Sequence, residues 1–202
     1  MEGKKIRRIA VLTSGGDAPG MNAVVRAVVR TACANGIEVL GINHGYSGLL
    51  NNDFRKLTAR SVDGLLQRGG TMLYTARCQE MMTEEGQQRA ANNCRYLGID
   101  GLICCGGDGT YRGALALARR GVPCIGIPGT IDNDIGCTEY TIGFDTASNT
   151  AIQCIDKLRD TMQSRAHFGG GSHGTPCGTF GAERGLRCGR GCNSGAGARG
   201  EL

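Results

Sequence analysis

Short apolar runs alternate along this chain with longer segments in which apolar residues recur at helical spacing. Buried strands are predicted at Ile9 to Thr13, Ile37 to Ile42, Gly101 to Cys105 and Val122 to Ile127. Helices are predicted at Ala23 to Cys33, Glu84 to Tyr96, Tyr111 to Arg119 and Asp145 to Thr161, with a short helix beginning over Val62 to Gln67. The alternation predicts an α/β fold in which a parallel sheet is covered by helices on both faces.

Glycine-rich segments lie at the ends of three predicted strands. Their sequences are "TSGGDAPGMNA", "CCGGDGTY" and "PGTIDNDIG". In a parallel α/β sheet, ligands bind where the carboxyl ends of the strands meet the N-termini of helices. The pattern therefore predicts one binding site built from Ser14 to Asn22, Gly106 to Thr110 and Pro128 to Asp134.

The first two segments favour phosphate binding, although each has an ordinary alternative. "TSGGDAPGMNA" places backbone N–H groups and a helix dipole where an anion can bind. It lacks the lysine of a P-loop and the spacing of a GxGxxG fingerprint, so a tight turn explains it equally well. In "CCGGDGTY", Asp108 follows a strand end between glycines, where a carboxylate can hold magnesium through water, and an Asp-Gly turn is the alternative.

The third segment carries the residues best suited to acid–base chemistry. Asp132 and Asp134 lie two positions apart, with Thr130 and Asn133 able to orient either carboxylate or a substrate hydroxyl. In phosphoryl transfer to an alcohol, a nearby carboxylate accepts the hydroxyl proton, while positioning and charge neutralisation supply most of the catalysis. A loop rich in Asx turns is the alternative interpretation.

Composition narrows the function classes. The 202 residues are 40% hydrophobic and 20% charged, which is typical of a soluble globular protein. The formal charge of +5 comes largely from residues 165–202, and aromatic residues are only 4%, so neither nucleic acid nor a membrane is an expected partner. Since no segment has the length of a membrane span or the core of a signal peptide, we expect a cytoplasmic protein.

The 11 cysteines show no CxxC spacing, which favours buried reduced thiols over zinc or disulfides.

"TSGGDAPGMNA", "GGT…AR", "GGDGTY", "PGTIDNDI" and "YTIGFDTASNT" occur in this order, and together they closely resemble the bacterial-type 6-phosphofructokinases. The resemblance runs from Ile9 to about Ser164. NAD and lipid kinases share "GGDGT" but lack "PGTIDND". The resemblance implies a glycolytic kinase that transfers the γ-phosphoryl group of ATP, with Mg2+, to the 1-hydroxyl of fructose 6-phosphate. It also implies ADP or phosphoenolpyruvate as possible effectors and, for the intact family, a homotetramer.

The resemblance also implies roles for individual residues. The ATP site would comprise Gly16, Arg77, Cys78, Gly107, Asp108, Gly109 and Thr110, with Asp108 on the magnesium ion. The sugar phosphate would contact Thr130, Ile131 and Asp132, with Asp132 as the base. Possible allosteric ADP ligands are Arg26, Arg30 and Arg159, for which solvated arginines on a helix face are the alternative.

Two glycines indicate which phosphoryl donor the protein uses, ATP or pyrophosphate. Pyrophosphate-using relatives carry aspartate where this chain has Gly109, and lysine where it has Gly129. An additional carboxylate would exclude the α-phosphate of a nucleotide by charge and bulk. The two glycines therefore favour ATP.

Residues 165–202 depart from the resemblance and hold about a third of the 35 glycines. When this tail is written as degenerate codons and regrouped by one base, it permits the segment "HER…VVEVMGR" that relatives carry there. We therefore expect a phosphofructokinase region over 1–164, incomplete and followed by an out-of-frame, glycine-rich tail that is disordered. Such a chain would be weakly active or inactive. A non-catalytic nucleotide-binding fragment is the alternative, and a glycine-rich RNA-binding tail is the least favoured interpretation.

Overall fold

The computed structural model describes residues 5–162, with side chains described as far as Arg159. The strands in this part of the chain are β1 (Arg8–Thr13), β2 (Glu38–Ile42), β3 (Phe54–Leu57), β4 (Gly101–Gly106), β5 (Cys124–Thr130) and β6 (Ile142–Gly143). The α-helices are α1 (Met21–Ala34), α2 (Gly45–Asn51), α3 (Glu84–Tyr96), α4 (Asp108–Arg119) and α5 (Phe144–Met162). Two short 3-10 turns lie at Ala59–Val62 and Glu80–Met82.

The strands form one sheet in the order β3-β2-β1-β4-β5-β6. Four of the five pairings are parallel, and Val11 in β1 lies between Gly41 of β2 and Ile103 of β4. The predicted parallel sheet is therefore confirmed, with one correction, because the edge strand β3 runs antiparallel to β2. The connection through α2 is shorter than the dozen residues that a parallel crossover needs, so the chain returns in the opposite direction.

Alternate residues of the central strands pack into cores on opposite faces of the sheet. Ala10 and Leu12 join a buried cluster with residues of α2, α3 and α4. Val11 and Val39 instead pack against α1. Fully burying an aliphatic side chain of this size contributes about 1.5–3 kcal/mol. Helices thus cover both faces, as the alternating pattern predicted.

The local prediction was wrong between β3 and α3. No helix begins over Val62 to Gln67: the 3-10 turn ends at Val62, and Gly64 takes a left-handed φ of 66°. Val62 and Leu65 are nevertheless buried against the α1 side of the sheet, so their three-residue spacing imitates a helix without forming one. α4 also begins at Asp108, three residues before the predicted Tyr111. That shift places Asp108 in the first helical turn.

The cysteine prediction is partly confirmed. Cys94, Cys104 and Cys105 are buried thiols, whereas Cys33, Cys137 and Cys154 are exposed, and the eight cysteines of the described region are all free.

No helix in residues 5–162 has the length and apolar character needed to cross a membrane. The predicted change of reading frame and the disorder expected of residues 165–202 lie outside the described residues.

Candidate active site

The carboxyl end of β1 is joined to the end of β4 by the backbone. The Ser14 N–H donates to the carbonyl oxygen of Cys105 at 3.0 Å, which fixes the beginning of the first glycine segment beside the second. Gly15 and Gly20 then adopt φ angles of 88° and 95°, which glycine takes without the steric cost that a side chain imposes. The segment therefore turns tightly and delivers the chain into α1.

Between β4 and α4 the backbone passes very close to its neighbours. A Cβ atom at Gly106 would collide with the Thr110 side chain and the Ser14 carbonyl oxygen, so this position requires glycine. The Thr110 hydroxyl donates to the Ser14 carbonyl oxygen at 3.2 Å. These contacts bring the N-terminus of α4 against the first glycine segment, and a helix N-terminus attracts anions through its dipole.

Hydrogen bonds hold the segment that leads to Arg77 and Cys78 at the same edge of the sheet. The Asn22 side chain donates to the carbonyl oxygens of Arg68 and Gly69 at 3.0 and 3.1 Å and accepts from the Met72 N–H at 2.7 Å. The Thr13 hydroxyl lies 2.9 Å from the Tyr74 carbonyl oxygen, to which it donates. Two buried polar residues at the ends of β1 and α1 thereby position this loop.

Side-chain hydrogen bonds of Asn133 and Thr141 stabilise the third glycine-rich segment, and we call this set of contacts the bridge. Asn133 has a φ of 51°, accepts a hydrogen bond from the Thr141 N–H at 2.9 Å and donates one to the Glu139 carbonyl oxygen at 3.1 Å. The Thr141 hydroxyl donates to the Thr130 carbonyl oxygen at 2.7 Å. The Asp132 N–H donates to the Thr130 hydroxyl at 3.2 Å. This bridge holds Thr130 to Asn133 at the end of β5.

All three segments line one cavity of about 1070 Å³. Every residue predicted for ATP or sugar phosphate is among its lining residues: Gly16, Arg77, Cys78, Gly107, Asp108, Gly109, Thr110, Thr130, Ile131 and Asp132. They come from four separate parts of the chain, which the fold brings together. The cavity is large enough for a drug-sized or cofactor-sized ligand.

Sequence reasoning missed several lining residues, most notably Tyr46 and Arg112, and it assigned no role to Asp17 within the predicted Ser14 to Asn22 segment. Tyr46 lies in the unpredicted helix α2, where "HGYSGLL" is too short for helical periodicity to be recognised. Arg112 pairs with Asp108, four residues earlier, at 2.8 Å between guanidinium and carboxylate. Its spacing from Asp108 was a usable signal once the helix was known to begin at Asp108.

Charged side chains of both signs surround the cavity. Four carboxylates line it, at Asp17, Asp108, Asp132 and Asp134, together with the guanidinium groups of Arg77 and Arg112. Carboxylates that share a cavity attract cations, whereas the two arginines suit a phosphate group. The arrangement suits an anion that arrives together with a metal cation.

Burial controls the ionisation of two groups near the cavity. Burial raises the pKa of Tyr46 far above its usual value, and the Cys104 thiol beside it adds to that shift, so Tyr46 stays a neutral hydrogen-bond donor. Its hydroxyl donates to the Thr110 carbonyl oxygen at 2.6 Å. Burial also raises the pKa of Cys105 to about 12, so this thiol stays protonated and packs as an apolar side chain.

The three arginines predicted for an effector site lie away from this cavity. Arg26 and Arg30 are on α1, one half-buried and the other exposed, and Arg159 is an exposed residue of α5. Arg159 forms a loose ion pair with Asp156 at 3.9 Å. Their proposed role is independent of the cavity and stays a prediction.

The chain is similar to known proteins in both sequence and fold. The phosphofructokinase family model matches residues 8–187. The ATP-dependent 6-phosphofructokinases of Shouchella clausii and Clostridium tetani are each 59% identical over 159 residues, which is 79% of this chain and 50% of each relative. The phosphofructokinase structure from Saccharomyces cerevisiae matches with a TM-score of 0.73 at 39% identity, over 78% of this chain and 24% of the yeast chain. The chain spans about half the length of the curated relatives it matches.

Proposed function

The chain belongs to the phosphofructokinase family, and from this premise we propose that residues 5–162 form the ATP-binding half of an ATP-dependent 6-phosphofructokinase. One observation carries the proposal: the residues assigned to ATP and to the sugar phosphate line a single cavity at the carboxyl edge of the sheet. The reaction is transfer of the γ-phosphoryl group of ATP to the 1-hydroxyl of fructose 6-phosphate, which gives fructose 1,6-bisphosphate.

Each part of the cavity has a role in this reaction. The N-terminus of α4 attracts the phosphate groups through its dipole, and Arg77 neutralises part of their charge. Asp132, held by the Thr130 and Asn133 contacts, accepts the proton of the sugar hydroxyl as the new bond forms. Because phosphoryl transfer depends mainly on positioning and charge neutralisation, a rigid loop at Asp132 is as important as its carboxylate.

The donor set of the cavity fits magnesium. Asp108, Asp132 and Asp134 offer carboxylate oxygens, which Mg2+ prefers as ligands. Across residues 5–162, no three side chains of histidine, cysteine, aspartate or glutamate converge closely enough to hold a metal ion by themselves. That agrees with Mg2+ bound by one or two carboxylates together with phosphate oxygens and water. We assign Asp108 to hold it, and Mg2+ bound there would neutralise negative charge on the phosphate groups.

ATP is the donor that the glycines favour. Nothing lies within 4 Å of a Cβ atom built at Gly109, so an aspartate there would fit and would place its charge in open space beside the cavity. A Cβ atom at Gly129 would lie 2.7 Å from the Cys105 sulfur, so this chain has no room for a lysine there without moving Cys105. Gly109→Asp should therefore lower the affinity for MgATP while the protein stays folded, and Gly109→Asn is the uncharged control.

Because the chain spans half of its relatives, nucleotide binding and turnover have to be measured separately. Calorimetric titration with MgADP tests the ATP site, and a coupled assay with ATP and fructose 6-phosphate tests the kinase. Binding without turnover supports the alternative of a non-catalytic nucleotide-binding fragment. Binding with turnover that Asp132→Asn abolishes supports the kinase, since that variant should still bind MgADP. A chain that binds no nucleotide would contradict both.

We also propose that residues 165–202 are read out of frame. The support is the codon regrouping, since the regrouped codons within Arg165 to Glu183 permit the family's "HER…VVEVMGR" segment. Sequencing the gene across the codons for Thr161 to Gly185 tests it. A one-base shift that restores that segment would support the proposal, and a DNA sequence without such an alternative frame would refute it.

The remaining predictions concern regulation and location. An effector site for ADP or phosphoenolpyruvate at Arg26, Arg30 and Arg159 follows from the resemblance, and a cytoplasmic location follows from the composition. A homotetramer is expected of the intact family, whose tetramer contacts lie in the part that this chain lacks. ADP titration of Arg26→Ala and Arg30→Ala variants is the direct test of the first. A single class of ADP sites, unaffected by either variant, would argue against an effector site in this chain.

A further inference from the structure

The ion pair between Asp108 and Arg112 occupies the mouth of the proposed nucleotide site. The Arg112 guanidinium lies 2.8 Å from the Asp108 carboxylate, and both residues line the cavity. The pair is open to solvent, with 80% of the Arg112 side chain and 59% of the Asp108 side chain exposed. An exposed pair of this kind adds little stability and exchanges partners readily.

Charge balance favours a change of partner when nucleotide and metal arrive together. The cavity is lined by four carboxylates and only two guanidinium groups, while a nucleotide brings several negative charges of its own. Magnesium held by Asp108 would compete with Arg112 for the same oxygens. A guanidinium released at the N-terminus of α4 lies where phosphate groups bind, and its fork of N–H donors matches their geometry.

We propose that Arg112 is a phosphate-binding residue of the nucleotide site, held by Asp108 in the free protein and released when Mg2+ replaces it. The proposal rests on the proposed function, because it requires a nucleotide in this cavity. It adds a second cation to Arg77 on the nucleotide side, at a position that the sequence motifs did not identify. The simpler alternative is a helix-surface ion pair between residues four apart, with no part in binding.

The first test compares two arginines of the same helix. Arg119 is an exposed residue in the last turn of α4 and does not line the cavity, so Arg119→Gln removes the same charge away from the site. Affinities for MgADP and for adenosine are measured by calorimetry on the full chain. We expect Arg112→Gln to weaken MgADP binding about tenfold, as for loss of a charge-assisted hydrogen bond. Arg119→Gln should change it less than about twofold, and Arg112→Lys should recover part of the loss.

Adenosine separates a phosphate contact from a contact with the base or ribose. Both variants should bind adenosine as the unaltered chain does. An equal loss of MgADP affinity in the two glutamine variants, no loss in Arg112→Gln, or a matching loss for adenosine would overturn the proposal. A chain that binds neither ligand refutes the proposed function together with this inference, whereas binding that is unchanged by Arg112→Gln refutes this inference alone.

The second test addresses whether Asp108 holds Arg112 away from the phosphates. Asp108→Asn removes the carboxylate that holds Arg112, so it should tighten the binding of ADP in the absence of Mg2+. Adding Arg112→Gln to that variant should reverse most of the gain. If the double variant binds metal-free ADP as tightly as Asp108→Asn alone, Arg112 does not contact the phosphates and the proposal fails. Far-ultraviolet circular dichroism of each variant shows that the comparison is made between folded proteins.

Discussion

The Tyr46 hydroxyl donates a hydrogen bond of 2.6 Å to the carbonyl oxygen of Thr110, across the space between α2 and α4. Tyr46 is 4% exposed, and its ring packs so closely on α4 that only glycine fits at position 113. Thr110 in turn donates from its own hydroxyl to the Ser14 carbonyl oxygen. A chain of contacts therefore runs from α2 through α4 to the first glycine segment, and it fixes where the N-terminus of α4 lies.

Tyr46→Phe tests the hydrogen bond without changing the packing of the ring. We expect the free energy of unfolding to fall by about 1 kcal/mol, the usual cost of losing one buried hydrogen bond. Urea denaturation followed by circular dichroism measures it. Tyr111→Phe is the matched control, because its ring also packs on a glycine and no hydrogen bond from its hydroxyl is found within residues 5–162. Equal effects of the two substitutions would contradict the assignment.

Two glycines of α4 should respond oppositely to alanine. At Gly113 a Cβ atom would lie 2.6 Å from the Tyr46 ring, so Gly113→Ala should destabilise the protein by about 1–3 kcal/mol through overpacking. At Gly109 nothing lies within 4 Å, so Gly109→Ala should leave stability unchanged or raise it by up to about 1 kcal/mol through helix propensity. Thermal unfolding of both variants checks this. Destabilisation by both would mean that the open space beside Gly109 does not make a side chain tolerable there.

The parts of the site that sequence predicted are those in which a local motif coincides with a strand end. Asp108 follows the mostly buried strand β4 and Asp132 follows β5, both within glycine-containing segments, and parallel strands bring such ends to one edge of the sheet. Arg112 and Tyr46 carried no comparable motif. Their place in the site depends on where α4 begins and on the existence of α2, and both are set by packing across the sheet. The sequence therefore did not reveal the parts of the site whose position depends on tertiary contacts, because such contacts override the local sequence pattern.

The antiparallel edge strand shows the same limitation in the fold. "DFRKL" contains only two apolar residues, and Phe54 is 39% exposed at the edge of the sheet. An edge strand buries little, so its hydrophobic signal is weak. The central strands β1 and β4 are buried on both faces and were predicted to within one residue. Burial thus explains why β1 and β4 were predicted closely and β3 was not. The strand predicted as buried at Val122 to Ile127 exists as β5, but it is not buried, since Ile125 is 64% exposed.

The bridge at Asn133 predicts a difference between two small substitutions. Asn133→Ala loses the hydrogen bonds to Thr141 and Glu139 and forces an alanine into a left-handed conformation, so stability should fall by about 2–3 kcal/mol. Asn133→Gly loses the same hydrogen bonds without the backbone penalty, so its loss should be smaller by about 1 kcal/mol. Urea denaturation of the two variants separates these contributions. If alanine and glycine were equivalent, the left-handed backbone would carry no cost here.

The buried thiols should make the free energy of unfolding decrease as the pH rises into the alkaline range. Burial raises the pKa of Cys94 and of Cys105 to about 12, from the 9.0 that is usual for an exposed thiol. In the unfolded chain these thiols lose their protons near pH 9 while the folded protein retains them, so the unfolded state becomes progressively more favourable. Stability should be fully retained below pH 9 and then fall by up to about 1.4 kcal/mol per pH unit for each thiol, until the folded protein also ionises near pH 12.

Cys94→Ala isolates one of these contributions. The variant loses core packing at every pH, but its free energy of unfolding should decline less steeply than that of the unaltered chain between pH 9 and pH 11. Cys33→Ala is the control for removing a thiol at an exposed position outside the core. Urea denaturation at several pH values, with a phosphine reductant to keep the thiols free, gives the slopes. Because a raised pKa is a property of the folded state, an unchanged slope in Cys94→Ala would mean that this thiol ionises in the folded protein as readily as in the unfolded chain.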